Sequence, residues 1–288
     1  MGEVPPDRMG EGKEGSMMDF VQFARAHGVM LDGLPPEGRW VRVRTEDKPR
    51  SRNGAVKWLG DVGFVQNWAT MEEPAVWRGT TSDEIRQRTR QVNRDAMKEA
   101  EEQARKAAQK AADILADCEI ATHPYFAAKG FPELLVNVWK DGLAVVPMRH
   151  GRHLVGCQLI SEDGDKKFLY GQRSGGAEFV IGQSGRHILC EGYATALSAQ
   201  VVLRNLKAAY VLHVTFSAGN MKRIAQGLPG GIVLADNDAS GTGERVAREI
   251  GWPYWMSDVV GEDFNDAHQR RGSFALSMEL GGLLRRRA

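Results

Sequence analysis

Arg186-His-Ile-Leu-Cys-Glu-Gly-Tyr-Ala-Thr-Ala-Leu-Ser198 and Gly231-Ile-Val-Leu-Ala-Asp-Asn-Asp-Ala-Ser-Gly-Thr-Gly243 are the two most informative stretches of the 288-residue chain. In the first, His187 to Cys190 read as a short buried strand running into Glu191-Gly192, after which Ala194, Leu197, Val201 and Val202 recur at helical spacing. In the second, Ile232 to Ala235 read as an equivalent strand that breaks at Asp236-Asn-Asp238. Gly241 and Gly243 then precede a helix with Val246, Ala247 and Ile250 on its apolar face. Each stretch is a strand, a turn and a helix. In an open parallel sheet the carboxyl ends of the strands point into one crevice, so Glu191, Asp236 and Asp238 are expected to converge there.

Three carboxylates brought together raise one another's pKa, and such a cluster is tolerated chiefly when a divalent cation neutralises it. Carboxylate oxygens select magnesium or manganese rather than zinc, and magnesium commonly serves phosphate chemistry.

With a Glu after one strand and an Asp-x-Asp after a later one, the segment resembles a Toprim domain. Glu-Gly-Tyr-Ala-Thr-Ala-Leu-Ser (191–198), Phe-Ser-Ala-Gly-Asn-Met (216–221) and Asp-Phe-Asn-Asp (263–266) make it similar to the Toprim primases of phages and plasmids. The resemblance implies an α/β fold: a Toprim-type parallel sheet flanked by helices, preceded by a small β-rich subdomain, a long helix and a small N-terminal antiparallel β module. It implies catalysis by Glu191, Asp236 and Asp238 with Mg2+ or Mn2+. Asp263 or Asp266 would complete a second cation site, Asp266 being taken as the ligand; an Asp266 that merely caps a helix is the competing account. It further implies ribonucleoside triphosphates joined on a single-stranded DNA template during DNA replication, with Lys166, Lys167 and Arg173 facing nucleotide and template. Replacing Asp238 by Asn is expected to relieve carboxylate repulsion and to stabilise the metal-free protein.

Along the chain, residues 1–16, rich in Gly, Pro, Glu and Asp, lack apolar periodicity and are expected to be disordered. Residues 17–80 read as a small β-rich module, with alternation at Trp40 to Arg44, Ala55 to Leu59 and Gly63 to Trp68. The position matches that of a primase zinc-binding domain, yet the cysteines are absent, so a zinc-ribbon-like module without zinc is expected. Four of the seven tryptophans lie here, interleaved with Arg and Lys. They read either as a base-stacking face or as the core of the sheet. Residues 81–118 form a long charged connector helix free of Gly and Pro. Residues 119–184, with a three-strand meander between Leu143 and Tyr170, correspond to the subdomain before the Toprim domain. Residues 185–288 resemble that domain, with strands expected at 187–190, 209–214, 231–235 and 253–256.

Composition narrows the function classes. A net charge of +1 places any nucleic-acid contact in local patches rather than an overall field. Cys118, Cys157 and Cys190 are far apart, so neither a disulfide framework nor a cysteine-rich zinc site is expected, which reads as reduced and cytoplasmic. No apolar run is long enough for a membrane span. No Gly-x-x-x-x-Gly-Lys-Ser/Thr occurs, so a separate replicative helicase or initiator is the expected partner. A Toprim metal-dependent nuclease and a non-catalytic nucleic-acid or protein binding module are the alternative readings.

Overall fold

A computed structural model describes residues 20–71, 73–79 and 83–285. The expectation of disorder over 1–16, the expected helix start at Thr81-Ser82 and the last three residues of the basic tail lie outside the described residues. The molecule is mixed α/β with several sheets. It divides into two compact units, Met1–Glu101 and Glu102–Ala288.

The first unit holds helix α1 (20–26) and strands β1 (Trp40–Val43), β2 (Gly54–Trp58), β3 (Val62–Asn67) and β4 (Ala75–Arg78). The strands pair antiparallel in sequence order. Because successive strand residues point to opposite faces, alternation sorts the side chains. Phe20, Ala24, Val29, Leu31, Val56, Val65 and Trp77 form the core on one side. Gly63 lets α1 approach, since a Cβ there would lie 2.0 Å from the Phe20 ring.

Helix α2 (Asp83–Ala116) is 34 residues long and contains the unit boundary. Its Ala-rich end, where small residues recur at helical spacing, buries Ala107, Ala111 and Ile114 against Val145, Cys157 and Leu169. In the second unit, β5 (Glu119–Ala121), β6 (Val136–Trp139), β7 (Leu143–His150), β8 (His153–Ile160) and β9 (Lys166–Phe168) form an antiparallel meander, and α3 (Pro124–Ala128) lies between β5 and β6.

The last sheet contains β10 (Phe179–Ile181), β11 (Arg186–Cys190), β12 (Tyr210–Val214), β13 (Gly231–Ala235) and β14 (Tyr254–Met256) in the order β10-β12-β11-β13-β14. β12, β11, β13 and β14 run parallel, and β10 adds an antiparallel edge. Helices α4 (Tyr193–Asn205) and α7 (Phe264–Arg285) contribute to the largest core with Ile188, Leu212 and Ile232. Helices α5 (Ala218–Ala225) and α6 (Thr242–Ile250) cover the other face with Leu189 and Val233. After β11 the chain turns through α4 toward β12, and after β13 through α6 toward β14 on the opposite face. The strand order therefore switches between β11 and β13, the place whose carboxyl ends face the ligand crevice in open parallel sheets. Among the described residues no helix is long and apolar enough to cross a membrane.

Candidate functional site at the carboxyl ends of β11 and β13

Glu191 is the first residue after β11 and Asp236 the first after β13. The charge of Asp238 bears on both carboxylates, and those of Glu191 and Asp263 bear on Asp236. Burial, followed by the charges of Asp263 and Glu191, pushes the Asp236 carboxyl up to about 7, against the opposing pull of Lys166. Burial also raises the Glu191 carboxyl, while Lys166 and the backbone N–H of Ala218 at the start of α5 favour its charged form. Asp236 Oδ1 is buried and has no hydrogen-bond partner among the described residues. A buried acceptor without a donor is costly, and a cation would satisfy it.

Asp238 has a different environment. Its Oδ1 accepts from Ser240 N at 2.7 Å and from the Ser240 hydroxyl, and its Oδ2 accepts from Gly243 N at 3.1 Å. The Ser240 hydroxyl and then these backbone N–H groups hold the Asp238 carboxyl below the usual carboxylate range. Asp238 therefore caps α6, which can approach only because Gly243 lacks a side chain: a Cβ there would lie 2.1 Å from the Asp236 carbonyl oxygen. The expectation that Asn at this position relieves repulsion thus meets a carboxylate already stabilised by the helix start, and the strain resides on Asp236.

Asp263 and Asp266 form a reciprocal cap at the start of α7. Asp266 N donates to Asp263 Oδ1 at 2.8 Å, and Asp263 N donates to Asp266 Oδ2 at 3.4 Å. Asp266 Oδ1 also pairs with Lys129 Nζ at 2.9 Å. Burial opposes the Lys129 charge, but the bond to Asp266 and the nearby charge of Asp263 hold its ammonium above the ordinary lysine range. Of the two aspartates, Asp263 is the one whose charge bears on Asp236, its oxygens also accepting from Asp266 N and the Thr195 hydroxyl, whereas Asp266 pairs with Lys129. The sequence contained a signal for this, a carboxylate at each end of Asp-Phe-Asn-Asp, but not which one faces the crevice.

The three basic candidates separate. Lys166 bears electrostatically on both Glu191 and Asp236, and its ammonium lies 3.9 Å from where a Cβ on Gly192 would stand. Lys167, the next residue of β9, points to the opposite face of the strand, beside Leu159. Arg173 is exposed in the loop before β10, and among the described residues no hydrogen bond or ion pair joins it to the carboxylates. His123 caps α3 through Nδ1 and bonds Gly142 O through Nε2 at 2.7 Å, a structural role.

Beside the carboxylates lies a cleft of about 320 Å³ lined by Phe168, Ser174, Phe216, Ser217, Asn220 and Arg223. Phe216 occupies the left-handed region at φ 65°, an uncommon conformation for a bulky residue and one that concentrates at functional sites. Asn220 ties the cleft together: its Nδ2 donates to Ala177 O at 2.7 Å and to Thr215 O at 2.8 Å, and its Oδ1 accepts from Gly176 N at 2.6 Å.

The donor set around Asp236 is all carboxylate oxygen and suits a hard divalent cation. Among the described residues no three His, Cys, Asp or Glu side chains are gathered closely enough to enclose an ion by themselves. Magnesium often takes one or two carboxylates and keeps several waters, so a full protein cage is not required for it. No protein-family model and no curated protein matches this sequence.

Proposed function

We propose that the chain is a primase-type nucleotidyltransferase on a Toprim sheet, making short RNA primers on single-stranded DNA for phage or plasmid replication. The observation that carries this reading is that Glu191 and Asp236 directly follow the neighbouring parallel strands β11 and β13 at the switch point, with Asp236 Oδ1 buried and without a hydrogen-bond partner among the described residues. Magnesium or manganese, when bound, supplies the Lewis acidity that activates a 3′-hydroxyl and neutralises a leaving pyrophosphate. Asp236 with Glu191 would hold it, waters filling its remaining positions, while Asp238 and Asp263 add their negative charge. Lys166 draws a triphosphate toward the carboxylates, and the fixed backbone around α5 and α6 sets alignment, which supplies much of the rate in phosphoryl chemistry. Ribonucleoside triphosphates and the scarcity of cysteine pairs suit a cytoplasmic setting, and unwinding falls to a separate helicase or initiator.

The test is incubation with single-stranded DNA, magnesium and labelled ribonucleotides. Short labelled products are expected from the parent and none from Asp236→Asn. Template degradation without joining would establish the nuclease instead. Retention of single strands with neither reaction would establish a binding module.

A further inference from the structure

The outer face of the four-stranded sheet in the first unit carries aromatic side chains that its own core does not use. Strand register sets Trp40 opposite Lys57, Lys57 opposite Phe64 and Phe64 opposite Val76, a single row crossing all four strands. The core lies on the other side, with Val56, Val65 and Trp77. Trp40 is 50% exposed and Trp68 49%. Arg42, also exposed and on the same side of β1 as Trp40, sits over the Trp68 ring at 4.0 Å. The Trp40 and Phe64 rings are 6.1 Å apart. The four tryptophans therefore do not share one role: Trp77 is core, and Trp40 and Trp68 are surface.

Charge identifies what fits this face. Residues 39–57 carry seven Lys and Arg against two acidic residues, in a chain whose net charge is only +1. Exposed indoles alone would suit many apolar partners. Indoles set among guanidinium groups suit a polymer that alternates flat π-faces with phosphates, because a base stacks on the ring while its phosphate meets the cation.

We infer that the outer face of β1–β4, through Trp40, Trp68, Phe64 and Arg42, captures single-stranded nucleic acid. This face belongs to a different unit from the carboxylates and does not depend on their chemistry. Bases stack on Trp40 and Trp68, phosphates are met by Arg42 and the exposed basic turn between β1 and β2, and sequence preference is weak because every base offers a π-face. Duplex DNA, whose bases are already stacked, is held only by its phosphates.

The test uses the full chain in EDTA, which takes metal-dependent binding out of the measurement, with fluorescein-labelled single-stranded DNA, single-stranded RNA and duplex DNA titrated at several salt concentrations. The Trp40→Leu/Trp68→Leu double variant keeps apolar bulk but loses the π-faces. It is expected to bind single strands at least tenfold more weakly, and Trp40→Phe/Trp68→Phe to recover most of the loss. Arg42→Gln is expected to shallow the salt dependence by about one counterion. DNA and RNA arms that respond alike place recognition in base and phosphate, whereas a response confined to one narrows the ligand to that polymer. Unchanged affinity in the Leu variant, or equal losses in the Phe and Leu variants, overturns the inference. So does self-association of the parent that the same variants abolish, which would give the face to a second copy. Because the readout is binding without metal, failure here leaves primer synthesis to be judged by its own assay.

Discussion

The Thr195 hydroxyl donates to Asp263 Oδ2 at 3.2 Å, joining the first turn of α4 to the residue that caps α7. Three residues further along α4, the buried Ser198 hydroxyl accepts from Asn265 Nδ2 at 2.8 Å. The words Glu-Gly-Tyr-Ala-Thr-Ala-Leu-Ser and Asp-Phe-Asn-Asp thus meet side by side, and each explains residues of the other. Thr195 orients the carboxylate that adjoins Asp236, and Asn265 spans from Ser198 to Lys129 O at 2.9 Å. Thr195→Val is expected to cost about 1 kcal/mol, the usual net worth of such a bond, with Thr195→Ser near the parent. Urea unfolding midpoints measure this, and a Val variant as stable as the parent would remove Thr195 from this role.

Asp236 and Asp238 should respond in opposite directions to the same change. Asp236→Asn removes a charge that burial and the neighbouring carboxylates disfavour, so at pH 8 without metal the variant is expected to melt higher by about 2–4 °C, corresponding to about 1 kcal/mol. Asp238→Asn sets an amide NH2 among backbone donors that two carboxylate oxygens now satisfy, and is expected to lose about 1 kcal/mol. Both should abolish synthesis if the proposed chemistry holds. Calorimetry in EDTA decides the stability contrast; equal shifts of the same sign would contradict this account of the two environments.

His187 offers a pH test away from the carboxylates. Its Nδ1 lies 2.9 Å from His213 Nε2, and His213 Nδ1 lies 2.6 Å from Glu178 Oε2. Burial, then the nearby His213, lowers the His187 pKa, and burial lowers that of His268. A histidine with a depressed folded pKa takes up its proton first in the unfolded chain. Its contribution is therefore complete above the unfolded value of about 6.5 and is lost as pH falls through the folded value. From pH 7 toward pH 5 the two histidines should therefore cost stability while proton uptake by the raised Asp236 and Glu191 carboxyls adds to it, so His268→Gln should gain stability relative to the parent as pH falls. Identical pH profiles for parent and variant would contradict it.

How far the sequence reached depended on whether a feature is set locally or by distant pairing. The apolar runs ending at Cys190 and Ala235 announce buried strands because carboxylates and glycines punctuate them, and the gap-free run to Ala116 announces α2. Three-residue β10 has no such signature and becomes a strand by pairing Val180 with His213. Helix α7 is concealed by Gly272, where the helix kinks at φ 78°, and by Gly281 and Gly282. Within the site, Asp-Phe-Asn-Asp offers two carboxylates three residues apart that cap each other, and only the packing of α7 on α4 decides that Asp263 is the one beside Asp236.

Lys166 and Lys167 provide the sharpest test of the site, since they are identical residues one position apart on β9 and differ only in the face they occupy. Lys166 is the cation that offsets the charges of Glu191 and Asp236, whereas Lys167 faces away from them. Lys166→Met should therefore have two effects. Removing the offsetting charge leaves the carboxylates to repel, so the metal-free protein should be less stable, by an amount limited by solvent screening to about 1 kcal/mol. It should also reduce kcat/KM for ribonucleotide joining by at least about tenfold, because one charge-assisted contact to a triphosphate is lost. Lys167→Met should leave both quantities within about twofold of the parent. Parallel kinetics and melting curves on the two variants settle it: equal losses would mean that a diffuse basic surface, and not a cation placed at the carboxylates, handles the nucleotide.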